Sequence, residues 1–132
     1  MDEPRWDPDR PIYRQVRDAL AGQMLAGTLH DGAPLPSVRQ TAARYQLSPL
    51  TVLKAYQQLV DEQLVEKQRG RGMFVRAGGC EALRRAERGR FLVSDWPRIR
   101  HTIERLGFSA AELLEIPGTS AATHPLQDLQ RR

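Results

Sequence analysis

Arg39, Lys54, Arg69 and Arg71 are cations set among hydroxyls and glycines. Ser37 stands two residues before Arg39, Ser48 and Thr51 precede Lys54, and Gly70 and Gly72 alternate with the last two arginines. Such a set suits recognition of a polyanion better than the making or breaking of bonds. A guanidinium binds phosphate oxygens two at a time, and an ammonium reaches phosphate or a guanine edge. Threonine offers phosphate a hydroxyl or thymine a methyl group, whereas Leu50 can make only an apolar contact such as one with a thymine methyl. Glycines at 70 and 72 permit a tight turn with positive φ and a close approach of backbone to a ligand. Plainer roles stand beside these: Ser37 and Ser48 as helix caps, Leu50 as a surface leucine, the cations as solvated charges.

Bond-making chemistry has little to work with. His30, His101 and His124 are far apart in sequence, and none is in metal-ligand spacing with Cys80 or a carboxylate pair, so no metal, cofactor or enzymatic activity is expected. The 132 residues allow one ordinary domain, or a small one with an accessory element. Twenty Lys and Arg against sixteen Asp and Glu give a formal charge of +4, which favours a polyanionic partner. A lone cysteine cannot form an internal disulfide, and no apolar run approaches the roughly 18 residues of a membrane span. The start, MDEPRWDPDRP, is acidic and proline-rich, unlike a signal peptide, so a cytoplasmic protein without membrane partners is expected.

The elements that must hold the cations follow from periodicity. Residues 1–10 have no hydrophobic period and are expected to be a mobile arm. A helix fits from Pro11 to Ala26, with Ile12, Val16, Ala19, Leu20, Gln23 and Met24 on one buried face. GTLHDGAPLP is then a turn-rich connection in which Gly32 and Pro34 stop any regular element. Ser37 can cap a second helix, Val38 to Tyr45, that turns Val38, Ala42 and Ala43 inward. Ser48 can cap a third, with Pro49 in its first turn and Val52, Ala55, Tyr56, Leu59 and Val60 inside. A strand begins at Leu64-Val65, QRGRG reverses the chain, and Met73-Phe74-Val75 returns. Two strands alone are marginal, so this hairpin must pack on the helices. The order is that of a winged helix-turn-helix over residues 11–76, a mainly α fold with a small β-hairpin.

Beyond Ala77 the composition changes. Gly78 and Gly79 read as a hinge into a helical element spanning 77–116, and the stretch 117–132 has no sustained period and is expected to be disordered. Leu92, Trp96, Ile99, Ile103 and Leu106 recur at intervals of four, three, four and three, the seam of a helix that packs on another helix. Pro97 lacks the N–H its preceding turn requires, so the helix is either kinked there or restarted with Ser94 as cap. The seam is too apolar for so thin an appendage on a monomer, which points to a homodimer; packing on the first helix is the alternative. A twofold pair of heads would suit a palindromic double-stranded DNA operator.

Residues 11–75 resemble, nearly end to end, the DNA-binding domain of the GntR family of bacterial transcriptional regulators. The resemblance rests on Pro11-Ile12-Tyr13, on Leu35-Pro36-Ser37-Val38-Arg39, on Thr51-Val52 with Ala55-Tyr56, and on Gly70-Arg71-Gly72 before Phe74-Val75. The short helical extension with FLVSDWPRIRHTIERLG is similar to the YtrA subfamily, whose members have a small dimerisation element in place of a large ligand-sensing domain. The resemblance implies a dimeric repressor, with ABC-transporter genes as plausible targets. Pro49 and Leu53 stand where many members have arginine, Gln63 where glycine is usual, and Thr41 where leucine is common. If position 63 needs a left-handed backbone, glutamine costs about 1 kcal/mol there.

On the winged-helix plan Ser37 and Arg39 would hold phosphate at the start of the second helix. Ser48, Leu50, Thr51 and Lys54 would meet base edges from the third, and Arg69, Gly70, Arg71 and Gly72 would form the wing tip. A winged-helix adaptor that uses the third helix against a protein is the competing reading. Any small-molecule effector is expected at the dimer interface or between the helical element and the head.

Overall fold

Pro11, extended with ψ 130°, leads into helix α1, Ile12–Ala26, one residue later than expected. Gly27 ends it in the left-handed region at φ 85°, its N–H returning to the Met24 carbonyl. This computed structural model describes residues 5–118, which divide into two compact units at Gly89/Arg90. In α1 the buried row is Val16, Leu20 and Met24 with Ala21. Ala19 and Gln23, expected on that face, border it instead and line a groove with residues of the second helix.

Helix α2, Val38–Tyr45, begins with a reciprocal cap: Ser37 Oγ accepts from the Gln40 N–H and Gln40 Oε1 accepts from the Ser37 N–H, both at 3.0 Å. Its inner positions are Thr41 and Ala42; Ala43, expected inward, lies one helical step too far round and is exposed. Gln46 turns the chain at φ 56°, and helix α3, Pro49–Asp61, starts with Ser48 Oγ accepting from the Leu50 N–H at 3.1 Å. Val52, Ala55, Tyr56 and Leu59 are essentially inaccessible and form the centre of the core with Val16, Leu20 and Met24. Arg17 on α1 grips Glu62 just past α3 with two donors, Nε and Nη2, one to each carboxylate oxygen. Burial pushes the Glu62 carboxyl up, but hydrogen bonds from Arg17 and Gln58 hold it, on balance, below its ordinary pKa.

Strands β1, Val65–Gln68, and β2, Gly72–Val75, pair antiparallel with Val65 opposite Val75 and Gln68 opposite Gly72. The connection expected to lack regular structure contributes a third, short edge. Pro34 bridges Phe74, the Gly32 and Leu35 N–H groups donate to the Val75 and Met73 carbonyls, and the Val75 N–H returns to Ala33, each at 2.8 Å. Proline is tolerated there because only its neighbours' N–H groups face the ladder. Ala33 and Leu35 are thereby buried under the wing.

The expected glycine hinge is a tight joint. Gly78 takes φ 81°, and Gly79 opens helix α4, Gly79–Arg90, so close to β1 that a Cβ would lie 2.9 Å from the Leu64 carbonyl oxygen. The Asp31 carboxylate accepts from the N–H groups of Gly78 at 2.8 Å and Cys80 at 3.1 Å, capping α4 from 47 residues away. Those bonds, the Cys80 one first, hold Asp31 below its ordinary pKa. Leu83 completes the core, so the head extends to Gly89 and its expected limit at residue 76 falls short by the first turns of α4.

The expected mobile arm is docked over its described part. Trp6 packs edge-on against Tyr45 with centroids 5.9 Å apart, and the Gln15 side chain ties down Asp7 and Arg10.

In the second unit, Phe91–Asp95 form one π-helical turn, followed by α5, Trp96–Leu106, and α6, Ala110–Glu115. The Trp96 N–H reaches back five residues to the Phe91 carbonyl. That widened turn absorbs Pro97, whose missing N–H then falls where the ordinary ladder is already interrupted. Of the two expected outcomes, a restart capped by Ser94 is therefore excluded. Of the stretch expected to be disordered, residues 119–132 lie outside the described part.

Candidate nucleic-acid interface

Thr41 Oγ1 and Tyr56 Oη lie 2.8 Å apart in the core, and Tyr56 Oη also donates to the Pro36 carbonyl at 2.8 Å. The position expected to thin the packing is thus a polar clamp. It fixes α3 against α2 and against Leu35-Pro36-Ser37, from which the Arg39 side chain is presented. Burial pushes the Tyr56 phenol above its ordinary pKa, the Thr41 bond opposing.

Held this way, Leu50 and Lys54 are exposed and Thr51 is half-buried on the first two turns of α3, while Arg39 is exposed on α2. Leu50 is 76% exposed, which is a large apolar surface for a side chain with no core function. Leu53 is also exposed. Ser37 and Ser48 both act as caps through their hydroxyl oxygens. Arg39 and Arg69 make no hydrogen bond or ion pair among the described residues. At the wing tip Gly70 and Gly72 adopt φ 74° and 118°, which side-chain-bearing residues rarely tolerate. Arg71 lies over the Phe74 ring at 5.3 Å, so the two wing arginines are held differently.

Two residues that sequence reasoning did not single out stand beside this surface. The Lys54 ammonium sits 4.2 Å from the centroid of the Tyr13 ring on α1. Arg14 Nε donates to Tyr13 Oη at 3.2 Å, and that bond, with the positive charge of Arg14 and Lys54, holds the phenol below its ordinary pKa. The usable signal was Tyr13 in the Pro11-Ile12-Tyr13 run, an aromatic lying just outside the inner row of α1.

The five seam residues all fall on the second unit, but none is buried there: Trp96, Ile99 and Ile103 are half-buried, Leu92 and Leu106 about 60% exposed. Phe91, Val93, Phe108, Leu114 and Ile116 are exposed as well. A groove of about 320 Å³ lies between Trp6, α1 and α2, inside the head. Gln40 and Thr41 on its wall already hydrogen bond within the protein. Among the described residues no cluster of three His, Cys, Asp or Glu could hold a metal, and no helix is long and apolar enough to cross a membrane.

A three-helix core, a short α2–α3 turn at Gln46-Leu47 and a basic glycine wing define a winged helix-turn-helix protein. Residues 12–75 match the family model described as bacterial regulatory proteins, gntR family. Over 65 residues the chain is 42% identical to the HTH-type transcriptional repressor NagR of Bacillus subtilis, covering 49% of this chain and 27% of that one. The HTH-type transcriptional repressor YtrA of the same organism is 40% identical over 65 residues, 49% of this chain and 50% of the relative. The solved structure of YtrA from Sulfolobus acidocaldarius, a GntR-family transcription factor, is 34% identical, covers 67% of this chain and 93% of that one, and gives a TM-score of 0.52. A GntR family transcriptional regulator from Listeria monocytogenes shares the fold at a TM-score of 0.67 and 22% identity. The chain belongs to the GntR family, in its YtrA subfamily. It spans half or less of the length of the two Bacillus relatives.

Proposed function

We propose that this protein is a cytoplasmic, dimeric transcriptional repressor that binds a palindromic operator in double-stranded DNA. The observation that carries the reading is the row of exposed Leu50 and Lys54 with half-buried Thr51 on α3, flanked by Arg39 and Arg69, neither of which has a hydrogen-bond or ion-pair partner among the described residues. Arg39 and the wing arginines hold phosphate. Thr51 and Lys54 read base edges, Leu50 meets an apolar base surface, and Ser37 and Ser48 present the N-termini of α2 and α3 to the backbone. Leu92, Trp96, Ile99, Ile103 and Leu106 form the dimer seam, a reading supported by none of them being buried among the described residues. The YtrA resemblance supports a small operon as target, with ABC-transporter genes as candidates.

Binding isotherms at several salt concentrations test the reading. Arg39→Ala and Arg69→Ala each weaken binding to every sequence and flatten the salt slope by about 1, whereas Lys54→Ala changes which sequence is preferred. Unchanged slopes in both arginine variants, or a monomeric mass in light scattering at micromolar concentration, would count against it.

A further inference from the structure

The Lys54 side chain is not an ordinary surface lysine. Its ammonium is parked 4.2 Å from the centre of the Tyr13 ring, and Arg14 donates to the phenol oxygen of that ring. Tyr13 is half-buried at the second position of α1, a helix that the core and the Arg17–Glu62 pair clamp to α3. A lysine on a helix surface normally samples many rotamers, so its charge sweeps over several phosphates and bases. An aromatic face at this distance favours one placement by roughly 2- to 5-fold at an exposed site, and by more where water is displaced.

We infer that Tyr13 is a specificity-determining positioning residue: by holding the Lys54 ammonium over its ring, it confines that charge to one base position instead of neighbouring phosphates. The inference deepens the DNA-reading assignment and rests on it. Because the ring face does the holding, phenylalanine at this position keeps the effect and a branched aliphatic residue loses it. Arg14, which donates to the phenol oxygen, adds a second positive charge beside the same site. Tyr13 therefore acts through Lys54 and contributes to discrimination more than to overall affinity.

The test uses the full chain and a pool of randomised short duplexes, from which bound sequences are selected and read. For the wild type, Tyr13→Phe, Tyr13→Leu, Lys54→Ala and the Tyr13→Leu/Lys54→Ala double variant, the readout is base preference at each position, with affinity for unselected duplexes as reference. Tyr13→Leu is expected to relax preference by roughly 2- to 5-fold at the position that Lys54→Ala also relaxes, leaving affinity for unselected duplexes and the salt slope unchanged. Tyr13→Phe keeps the preference, and Tyr13→Leu adds nothing once Lys54 is gone. Ring-current shifts of the Lys54 side-chain methylenes, present in the wild type and Tyr13→Phe but lost in Tyr13→Leu, report the placement without DNA. If wild type discriminates among duplexes but Tyr13→Leu does so equally well, or loses affinity for all sequences alike, the inference falls and the DNA-reading assignment stands. If wild type selects no sequence, both fall.

Discussion

Removing the Tyr56 hydroxyl tests whether the buried clamp holds the reading head together. The hydroxyl is inaccessible and makes two bonds, to Thr41 Oγ1 and to the Pro36 carbonyl, each at 2.8 Å. Tyr56→Phe leaves the Thr41 hydroxyl stranded in the core at a cost of about 1–3 kcal/mol. Pro36 sits at the surface, so its carbonyl recovers water and adds only about 0.5 kcal/mol. The sum, about 2 kcal/mol, corresponds to a fall in Tm of roughly 8–16 °C for a domain of this size. Thr41→Val preserves volume and leaves Tyr56 its Pro36 acceptor, so it costs less, about 0.5–1 kcal/mol. In the double variant no buried hydroxyl is stranded, and the combined loss falls short of the two single losses added by about 1 kcal/mol. Urea denaturation of the four proteins, followed by circular dichroism, measures the cycle. Strict additivity, or a Tyr56→Phe loss below about 0.5 kcal/mol, would refute the claim that these groups form one unit.

Asp31 titrates below its ordinary value because it caps α4, so its contribution to stability is complete above the unfolded carboxylate pKa, about 3.8, and is lost as pH falls through the lower folded value. Asp31→Asn is therefore less stable at neutral pH, and its denaturation midpoint falls less steeply than wild type on acidification; parallel curves would mean that the cap contributes nothing. Gln63 holds φ 62°, and Gln63→Gly relieves a left-handed strain of about 1–2 kcal/mol against the glycine's own entropic cost, for a net gain of up to about 1 kcal/mol. Thermal unfolding checks this, and a lowered Tm would show that the Arg76–Gln63 hydrogen bond outweighs the strain.

The helices of the head were legible because their apolar spacing and serine caps agree: Ser37, and Ser48 with Pro49, each mark a start. The glycine wing tip was legible from its own residues, whereas the left-handed backbone at Gln63 was raised, as a condition, only by the family resemblance, which has glycine there. What escaped depends on distant partners. Ala33–Leu35 carries no strand signal of its own and becomes an edge only against Met73–Val75. Asp31 looks like a loop residue until Gly78 and Cys80 are brought to it. Trp6 lacks any period yet is fixed by Tyr45, and Pro97 signalled an interruption of the helix without specifying that it would take the form of a π turn at Phe91–Asp95. At the candidate interface Lys54 was visible as a cation, but its Tyr13 neighbour belongs to another helix.

The cap that Asp31 provides also ties two distant parts of the head together. Its carboxylate stands next to the edge, Gly32–Leu35, that pairs with the returning strand of the wing, and it receives the N–H groups that open α4. Loosening the wing from that edge would therefore loosen the start of α4 as well, so the wing and the helix that follows it respond to a disturbance as one cooperative unit.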